Sequence, residues 1–189
     1  QEEARKSFKL NPSKKTILIV GGSLGAQTVN SSIIEHLDLV QNTEVQIIWQ
    51  TGKRYFDKIN EALKGKELAN LKVMDFISDM GAAYKAADLV ISRAGASSIS
   101  EFQLIGKPVI LVPSPNVAED HQTKNAMALV NKDAAIFVSD ADAPAMLLQL
   151  ALDTIANDEK LATLSKNVKE MGLQHSADII ADEVLKLCK

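Results

Sequence analysis

Short apolar runs alternate with amphipathic stretches along most of the chain. The runs are rich in Val, Ile and Leu, and they predict buried strands of a parallel sheet. The predicted strands are Thr16–Val20, Val45–Trp49, Leu71–Phe76, Ala87–Ile91, Val109–Val112 and Ala135–Val138. The stretches between them carry apolar residues at helical spacing. The predicted helices are Ala26–Val40, Tyr55–Leu63, Ser78–Ala86, Ser97–Ile105 and Gln122–Asn131, and the pattern is helical throughout from Ala143 to Leu187.

Strands that alternate with helices predict a doubly wound α/β fold. We therefore expect a six-stranded, Rossmann-like parallel sheet followed by C-terminal helices in residues 143–189. The linkers between elements are short, so residues 1–189 are interpreted as a single domain. The first residues, Gln1–Leu10, have the pattern of an amphipathic helix entered part-way. We interpret residues 1–14 as the remnant of a linker helix.

Composition and charge narrow the possible partners. The formal net charge is −3 and the basic residues are scattered, which argues against a nucleic-acid partner.

The single cysteine, Cys188, excludes an intramolecular disulfide and a cysteine-rich metal site, and its thiol is predicted to be inert. His36 and His175 fall on predicted helices, and no His or Cys lies at metal-ligand spacing from His121, so we predict no metal. Neither a secretory signal nor an apolar run of transmembrane length occurs, which favours the cytoplasm.

The run Ser92–Glu101, which follows the fourth predicted strand, carries the strongest chemical signal. Its Gly-Ala-Ser-Ser turn opens a helix at the carboxyl end of a buried strand, where free backbone N–H groups form a ready anion site. Glu101 falls about one helical turn further, where its carboxylate can accept hydrogen bonds from a pair of sugar hydroxyls. Phosphate donors beside a diol acceptor predict that the ligand is a nucleotide.

A glycine-rich loop, Gly21–Ala26, joins the first predicted strand to its helix. Glycine lets the backbone approach a phosphate there, and the helix N-terminus favours negative charge. A tight strand-to-helix turn without a ligand is the alternative interpretation of the same residues. A dinucleotide site would also need an acidic residue after the second strand, but that strand ends in Trp49, Gln50 and Thr51, which argues against NAD.

Two further loops follow predicted strands. In Asp75–Met80 the backbone of Ile77 lies where it could read a base edge, while Ser78 or Asp79 could simply cap the next helix. The loop that starts at Pro113 ends in His121 and Gln122, which offer directional polar groups for hydroxyls. Taken alone, His121 is interpreted as a surface or capping histidine. The chain has no Gly-Xaa-Ser-Xaa-Gly motif, which argues against a serine hydrolase.

Four segments form a pattern by their order and spacing, namely Gly21–Ala26, Asp75–Met80, Ser92–Glu101 and Asp120–Ala126. Together they closely resemble the MurG family of N-acetylglucosaminyltransferases. The resemblance covers essentially the whole chain but only the C-terminal half of the family's enzymes. It implies the donor-binding half of a GT-B glycosyltransferase. The family are hexosyltransferases of peptidoglycan synthesis, which transfer GlcNAc from UDP-GlcNAc to lipid I to form lipid II.

The resemblance assigns the donor phosphates to two helix-opening loops. Ser23 would approach the phosphates, with Gly22 giving the loop its close approach. Ala96, Ser97 and Ser98 would present backbone N–H groups to the diphosphate. No cofactor and no metal are implied.

The resemblance also assigns the uridine and the sugar. Ile77 would hold the uracil through its main chain, and Glu101 would accept hydrogen bonds from the ribose hydroxyls. Gln122 would meet the GlcNAc hydroxyls, with His121 beside it.

The family's N-terminal domain supplies the acceptor site, an apolar patch that faces the membrane and the candidate general base. The resemblance therefore implies that this chain contains no catalytic residue and binds UDP-GlcNAc without turning it over. It also implies that the full-length enzyme binds lipid I through its N-terminal domain and is peripheral on the cytoplasmic face of the cell membrane.

Three other interpretations remain open at this point. The chain could be a natural donor-binding subunit of a two-chain GlcNAc transferase. It could be a domain like those of non-hydrolysing UDP-GlcNAc 2-epimerases, which would need catalytic acids that we cannot place. It could also be a dinucleotide-binding regulator, which the missing acid after the second strand disfavours.

Overall fold

The structure, a computed structural model, describes residues 1–174 and 176–187. Its strands are β1 (Thr16–Val20), β2 (Gln46–Gln50), β3 (Leu71–Met74), β4 (Leu89–Ser92), β5 (Val109–Leu111) and β6 (Ile136–Phe137). All five strand pairings are parallel, and the order across the sheet is β3-β2-β1-β4-β5-β6. The predicted doubly wound, six-stranded parallel sheet is confirmed, and its strand order is that of Rossmann folds.

Helices cover both faces of the sheet. They are α1 (Glu2–Ser7), α2 (Gln27–Ile34), α3 (Leu37–Gln41), α4 (Lys53–Leu63), α5 (Met80–Ala86), α6 (Ala96–Ile105), α7 (His121–Val130), α8 (Ala143–Ala156), α9 (Asp158–Glu170) and α10 (Ser176–Leu187), with a 3₁₀ turn at Ala118–Asp120. The last three form the predicted helical C-terminal region. The predictions for His175 and Cys188 lie outside the described residues. Within the described ranges, no helix has the length and apolar character needed to span a bilayer.

Alternate residues of the strands build two separate cores. Leu18, Ile48 and Val90 point to one face, where α5, α6 and α7 pack. Ile17 and Trp49 point to the other face, which α2, α3, α4 and α8 cover. Because both faces are buried, the central strands are apolar at consecutive positions, and this is why they could be recognised as runs in the sequence.

The single helix predicted over Ala26–Val40 is wrong, because the structure breaks it into α2 and α3. A continuous helix would pair the His36 N–H with the carbonyl of Ser32. Instead the His36 ring nitrogen Nδ1 lies 3.1 Å from the Ser32 oxygen, and the His36 N–H donates to Ile33 at 3.3 Å. A side chain that competes for a helix carbonyl in this way favours a local break. The break still lets Leu37 and Val40 reach the same core as Ile33.

The topology creates a crevice between β1 and β4. These strands are neighbours in the sheet, with Val20 paired to Ser92 at their carboxyl ends. The chain leaves β1 toward one face and β4 toward the other, because α2 and α6 belong to opposite layers. Ligands of open α/β sheets bind at such a switch point, outside the carboxyl ends of the strands. The Gly21–Ala26 and Ser92–Glu101 segments therefore meet here.

The N-terminal helix α1 is anchored near the amino end of β4, at the end of the sheet opposite the crevice. Arg5 is buried, and its guanidinium donates to the carbonyls of Ala86 and Pro12 and to the Asp88 carboxylate at 2.6 Å. The helix of the predicted linker segment, residues 1–14, is therefore α1 alone, held far from the crevice.

Candidate functional site

An open cleft of about 830 Å³ lies at the carboxyl ends of β1 and β4. The loops after β1, β4 and β5 line it, together with the starts of α2 and α4. Of the residues singled out in the sequence, Gly22, Ser23, Ser98 and Gln122 line this cleft. The others lie outside its lining: Ile77, Ala96, Ser97, Glu101 and His121.

Packing alone requires glycine at three positions in the loops beside the cleft, and at Gly21 an added Cβ would lie 2.4 Å from the Ala26 nitrogen. A Cβ on Gly25 would lie 2.1 Å from the Thr51 carbonyl oxygen, and one on Gly52 would lie 2.5 Å from the Gly25 nitrogen. Gly22 differs, because its φ is +83° but nothing lies within 4 Å of its Cβ position. The tight-turn interpretation therefore accounts for Gly25, while the backbone at Gly22 is open to an approaching ligand.

The N-terminus of α6 presents free backbone N–H groups at the carboxyl ends of the strands, where the cleft lies. Gly95 is its N-cap, and no side chain of the described part of the chain caps it. The first backbone bond runs from the Ile99 N–H to Gly95 at 3.0 Å. The N–H groups of Ala96, Ser97 and Ser98 precede that bond, so they lack intrahelical acceptors. Together with the helix dipole they favour an anion.

Glu101 lies on the next turn of α6 and is exposed. Its Oε2 accepts a hydrogen bond of 2.7 Å from the hydroxyl of Tyr84, a buried side chain on α5. The Tyr84 ring packs edge-to-face on Phe102, with centroids 5.8 Å apart. Burial raises the pKa of Tyr84 well above its ordinary value, and the hydrogen bond to the Glu101 carboxylate and its charge act in the same direction. Tyr84 was not predicted from the sequence.

The raised pKa of Tyr84 predicts how stability falls in alkali. Above about pH 10 the unfolded chain loses the tyrosine proton while the folded protein keeps it, so stability falls as pH rises. Tyr84→Phe should therefore lose less stability than the wild type between about pH 9 and about pH 11. Urea unfolding at both pH values measures this, and Lys107, whose pKa burial lowers, titrates in both proteins and cancels. Equal alkaline losses would contradict the raised pKa.

Gln50 connects the loop of Gly22 to the loop of Ile77, and the sequence analysis did not predict this role. It is 4% exposed at the end of β2. Its Nε2 donates to the Gly22 carbonyl at 3.1 Å, and its Oε1 accepts from the Ile77 N–H at 2.8 Å. The Ile77 carbonyl is then the main-chain group left for a base edge. Asp79, one of the two predicted caps, caps α5 by accepting from Ala82 at 2.8 Å.

Gln122 and His121 open α7 but differ in their surroundings. The Gln122 Oε1 accepts from the backbone N–H groups of Ser114 at 2.9 Å and Ala94 at 3.3 Å, so it joins two cleft loops. Its amide nitrogen remains available as a donor. His121 is exposed, and its Nδ1 lies 2.8 Å from the carbonyl of Ala118. That is the local capping contact of its alternative interpretation.

An ion pair fixes the back of the cleft. Arg93 donates to Asp140 and to the carbonyls of Val112 and Pro113, and Asp140 accepts from the Thr28 hydroxyl at 2.8 Å. The pair links the segments after β4, β5 and β6 to α2. Arg93 stands in a quoted motif, but no local pattern identified its partner. Among the residues that the structure describes, no group of three or more His, Cys, Asp or Glu side chains could hold a metal ion.

The glycosyltransferase family 28 C-terminal domain matches residues 16–181. The chain belongs to this family. The matched residues include the whole sheet, the loops that line the cleft and most of the C-terminal helices.

The UDP-N-acetylglucosamine--N-acetylmuramyl-(pentapeptide) pyrophosphoryl-undecaprenol N-acetylglucosamine transferase of Bacteroides fragilis is 63% identical over all of this chain. The alignment covers 50% of that relative, so the chain spans about half the length of the curated relatives it matches. The crystal structure of Acinetobacter baumannii MurG is 30% identical with a TM-score of 0.81, over 97% of this chain and 53% of that one. The resemblance stated from the four motifs is confirmed.

A putative UDP-N-acetylglucosamine 2-epimerase from Listeria monocytogenes has the same fold, with a TM-score of 0.62 over 87% of this chain and 41% of that one. Its sequence identity is only 12%, so the likeness is one of fold alone. Family 28 membership therefore favours the transferase over the epimerase-like alternative.

Proposed function

We propose that this chain is the UDP-GlcNAc-binding domain of a hexosyltransferase that transfers GlcNAc to lipid I, forming lipid II for peptidoglycan. The observation that carries the proposal is the uncapped N-terminus of α6 at the switch point, with the Glu101 carboxylate one turn along the same helix. These groups match two parts of a nucleoside diphosphate sugar, the negatively charged diphosphate and the diol of the ribose. The relatives' name supplies the sugar and the acceptor.

In this proposal the donor lies along the cleft and extends past it. The diphosphate would face the N–H groups of Ala96, Ser97 and Ser98, with Ser23 and the open backbone at Gly22 opposite. The uridine would extend past the cleft lining toward Ile77 and Glu101. The sugar would occupy the cleft beside Gln122, whose amide nitrogen can donate to a hydroxyl, while His121 lies at the rim.

The reaction we propose is an inverting displacement at the anomeric carbon. The acceptor hydroxyl attacks this carbon and loses its proton to a base outside residues 1–189, the bond from the carbon to the β-phosphate oxygen breaks, and UDP leaves. Negative charge develops on the diphosphate, where the preorganised N–H groups of α6 stabilise it, each such donor being worth about 3 kcal/mol in comparable sites. We assign no general base to residues 1–189, so this chain alone should bind UDP-GlcNAc without transferring the sugar.

The remaining assignments follow from the same proposal. Residues 1–189 act as a single donor-binding domain, with residues 1–14 as its linker. Lipid I binds through a preceding domain of the whole enzyme, which lies at the cytoplasmic face of the membrane. A two-chain arrangement, in which that acceptor domain is a separate subunit, differs only in covalent connection.

Calorimetric titration of this chain tests the proposal. We expect saturable binding of UDP-GlcNAc and of UDP, no response to NAD, and no release of UDP from bound UDP-GlcNAc. Binding of NAD with no response to UDP would contradict the proposal and favour the dinucleotide-binding alternative.

Glu101→Ala should weaken UDP binding by about 1–3 kcal/mol, because it removes charge-assisted hydrogen bonds to the ribose. Titration of both proteins with UDP measures the loss. Glu170→Ala is the matched control, since Glu170 is an exposed glutamate on α9 and should leave UDP affinity unchanged. Unchanged affinity in Glu101→Ala would refute the assigned contact.

Gln122→Ala should weaken both ligands but UDP-GlcNAc more. Both lose affinity because the side-chain oxygen Oε1 of Gln122 accepts hydrogen bonds from the Ala94 and Ser114 backbones and so holds the two loops together. UDP-GlcNAc alone should also lose a hydrogen bond to the sugar, worth about 1 kcal/mol. The difference between the two ligands, measured in parallel titrations, isolates the sugar contact. If the two ligands lose affinity equally, Gln122 holds the loops and does not contact the sugar.

A further inference from the structure

We propose that Tyr84 is a positioning residue for the donor's ribose, because its hydroxyl fixes the carboxylate of Glu101 in the orientation that receives the diol. The inference rests on the proposed function. It adds a residue from a different helix, α5, to the recognition of the nucleoside.

The contact divides the two oxygens of Glu101. Oε2 accepts the Tyr84 hydroxyl at 2.7 Å, and no described residue donates to Oε1. A glutamate on an exposed helix surface ordinarily samples several rotamers, and ordering such a side chain on binding costs free energy. A hydrogen bond made before the ligand arrives removes part of that cost. Oε1 and the second lone pair of Oε2 then remain for the two ribose hydroxyls.

Tyr84 is itself held firmly enough to act as a reference point. Its side chain is buried, and its ring meets Phe102 at an interplanar angle of 85°. Phe102 is fully buried and follows Glu101 directly on α6. The ring of Tyr84, on α5, is therefore held against α6, the helix that carries the Glu101 carboxylate.

Tyr84 also connects the ribose contact to the uracil contact. It lies on α5, whose first turn is capped by Asp79, two residues after Ile77. The loop of Ile77 and the carboxylate of Glu101 are thus joined through one short helix. A change at Tyr84 should affect recognition of the sugar diol, while the base contact at Ile77 stays in place.

Tyr84→Phe is the test, because it removes the hydroxyl and keeps the ring. Wild type and variant are titrated with UDP and with 2′,3′-dideoxy-UDP, at a temperature where thermal unfolding shows both proteins folded. The variant should bind UDP about 2- to 10-fold more weakly, the cost of ordering one freed side chain. Its affinity for 2′,3′-dideoxy-UDP should equal that of the wild type, because that ligand lacks both hydroxyls.

A double-variant cycle with Glu101→Ala separates positioning from a general structural effect. In the Glu101→Ala background, Tyr84→Phe should change UDP affinity by less than about twofold, since the group on which it acts is gone. An equal loss in both backgrounds, or an equal loss for the dideoxy ligand, would overturn the proposal. So would unchanged or tighter UDP binding by the single variant. Failure of the wild type to bind UDP at all would instead refute the proposed function.

Discussion

Gly25→Ala should lower the free energy of unfolding by about 3–5 kcal/mol, because it combines backbone strain with a collision. Gly25 has a φ of +79°, which L side chains rarely adopt. The added Cβ would also lie 2.1 Å from the carbonyl oxygen of Thr51. The obstacle is backbone at the end of β2, so no side chain can rotate away. The Gly21–Ala26 loop must shift, and UDP binding should be lost with it.

Gly65→Ala is the matched control. Gly65 has a similar φ of +75°, but nothing lies within 4 Å of its Cβ position and it is not among the residues that line the cleft. It should lose only about 1–2 kcal/mol, the cost of the left-handed conformation, and it should keep wild-type UDP affinity. Urea unfolding and UDP titration of both variants separate strain from collision. Equal losses of stability would mean that the loop can relax around the Gly25 methyl group.

The sheet could be predicted because its physical cause is local. A strand buried on both faces is apolar at consecutive positions, so runs such as Thr16–Val20 are visible without knowledge of their neighbours. Gly106, which ends α6 with a φ of +66°, is equally local, because glycine is the usual residue at a left-handed helix C-terminus. The break between α2 and α3 could not, because it depends on which group takes the Ser32 carbonyl.

The site could be predicted where backbone groups form it and was missed where side chains from distant segments form it. Gly22 and the start of α6 follow directly from glycine and serine after an apolar strand. Gln50 entered the sequence argument only as evidence against NAD, yet it bridges the loops of Gly22 and Ile77. A buried amide at the end of an apolar strand is a usable signal, because such a group needs partners. Tyr84 gave no comparable signal, since a tyrosine on an amphipathic helix is ordinary core.

Arg93→Met should destabilise the protein by about 2–4 kcal/mol, because it leaves the Asp140 carboxylate largely buried without its cation. The side chains of Arg93 and Asp140 are 15% and 20% exposed, so we expect somewhat less than the cost at a fully buried pair. UDP binding should weaken as well, because Arg93 also holds the carbonyls of Val112 and Pro113 against the loop that opens α6. Urea unfolding and UDP titration give the two effects.

The double variant Arg93→Met/Asp140→Leu distinguishes the lost cation from lost packing. Removing both charges eliminates the stranded carboxylate, so the double variant should be more stable than Arg93→Met alone. UDP affinity should remain weak, because the contacts to Val112 and Pro113 are still missing. Lys14→Met is the surface control, since Lys14 and its partner Glu44 are 40% and 88% exposed, and it should destabilise the protein far less than Arg93→Met. A double variant that is no more stable than Arg93→Met would show that Arg93 stabilises the cleft through its two carbonyl contacts and not through the ion pair.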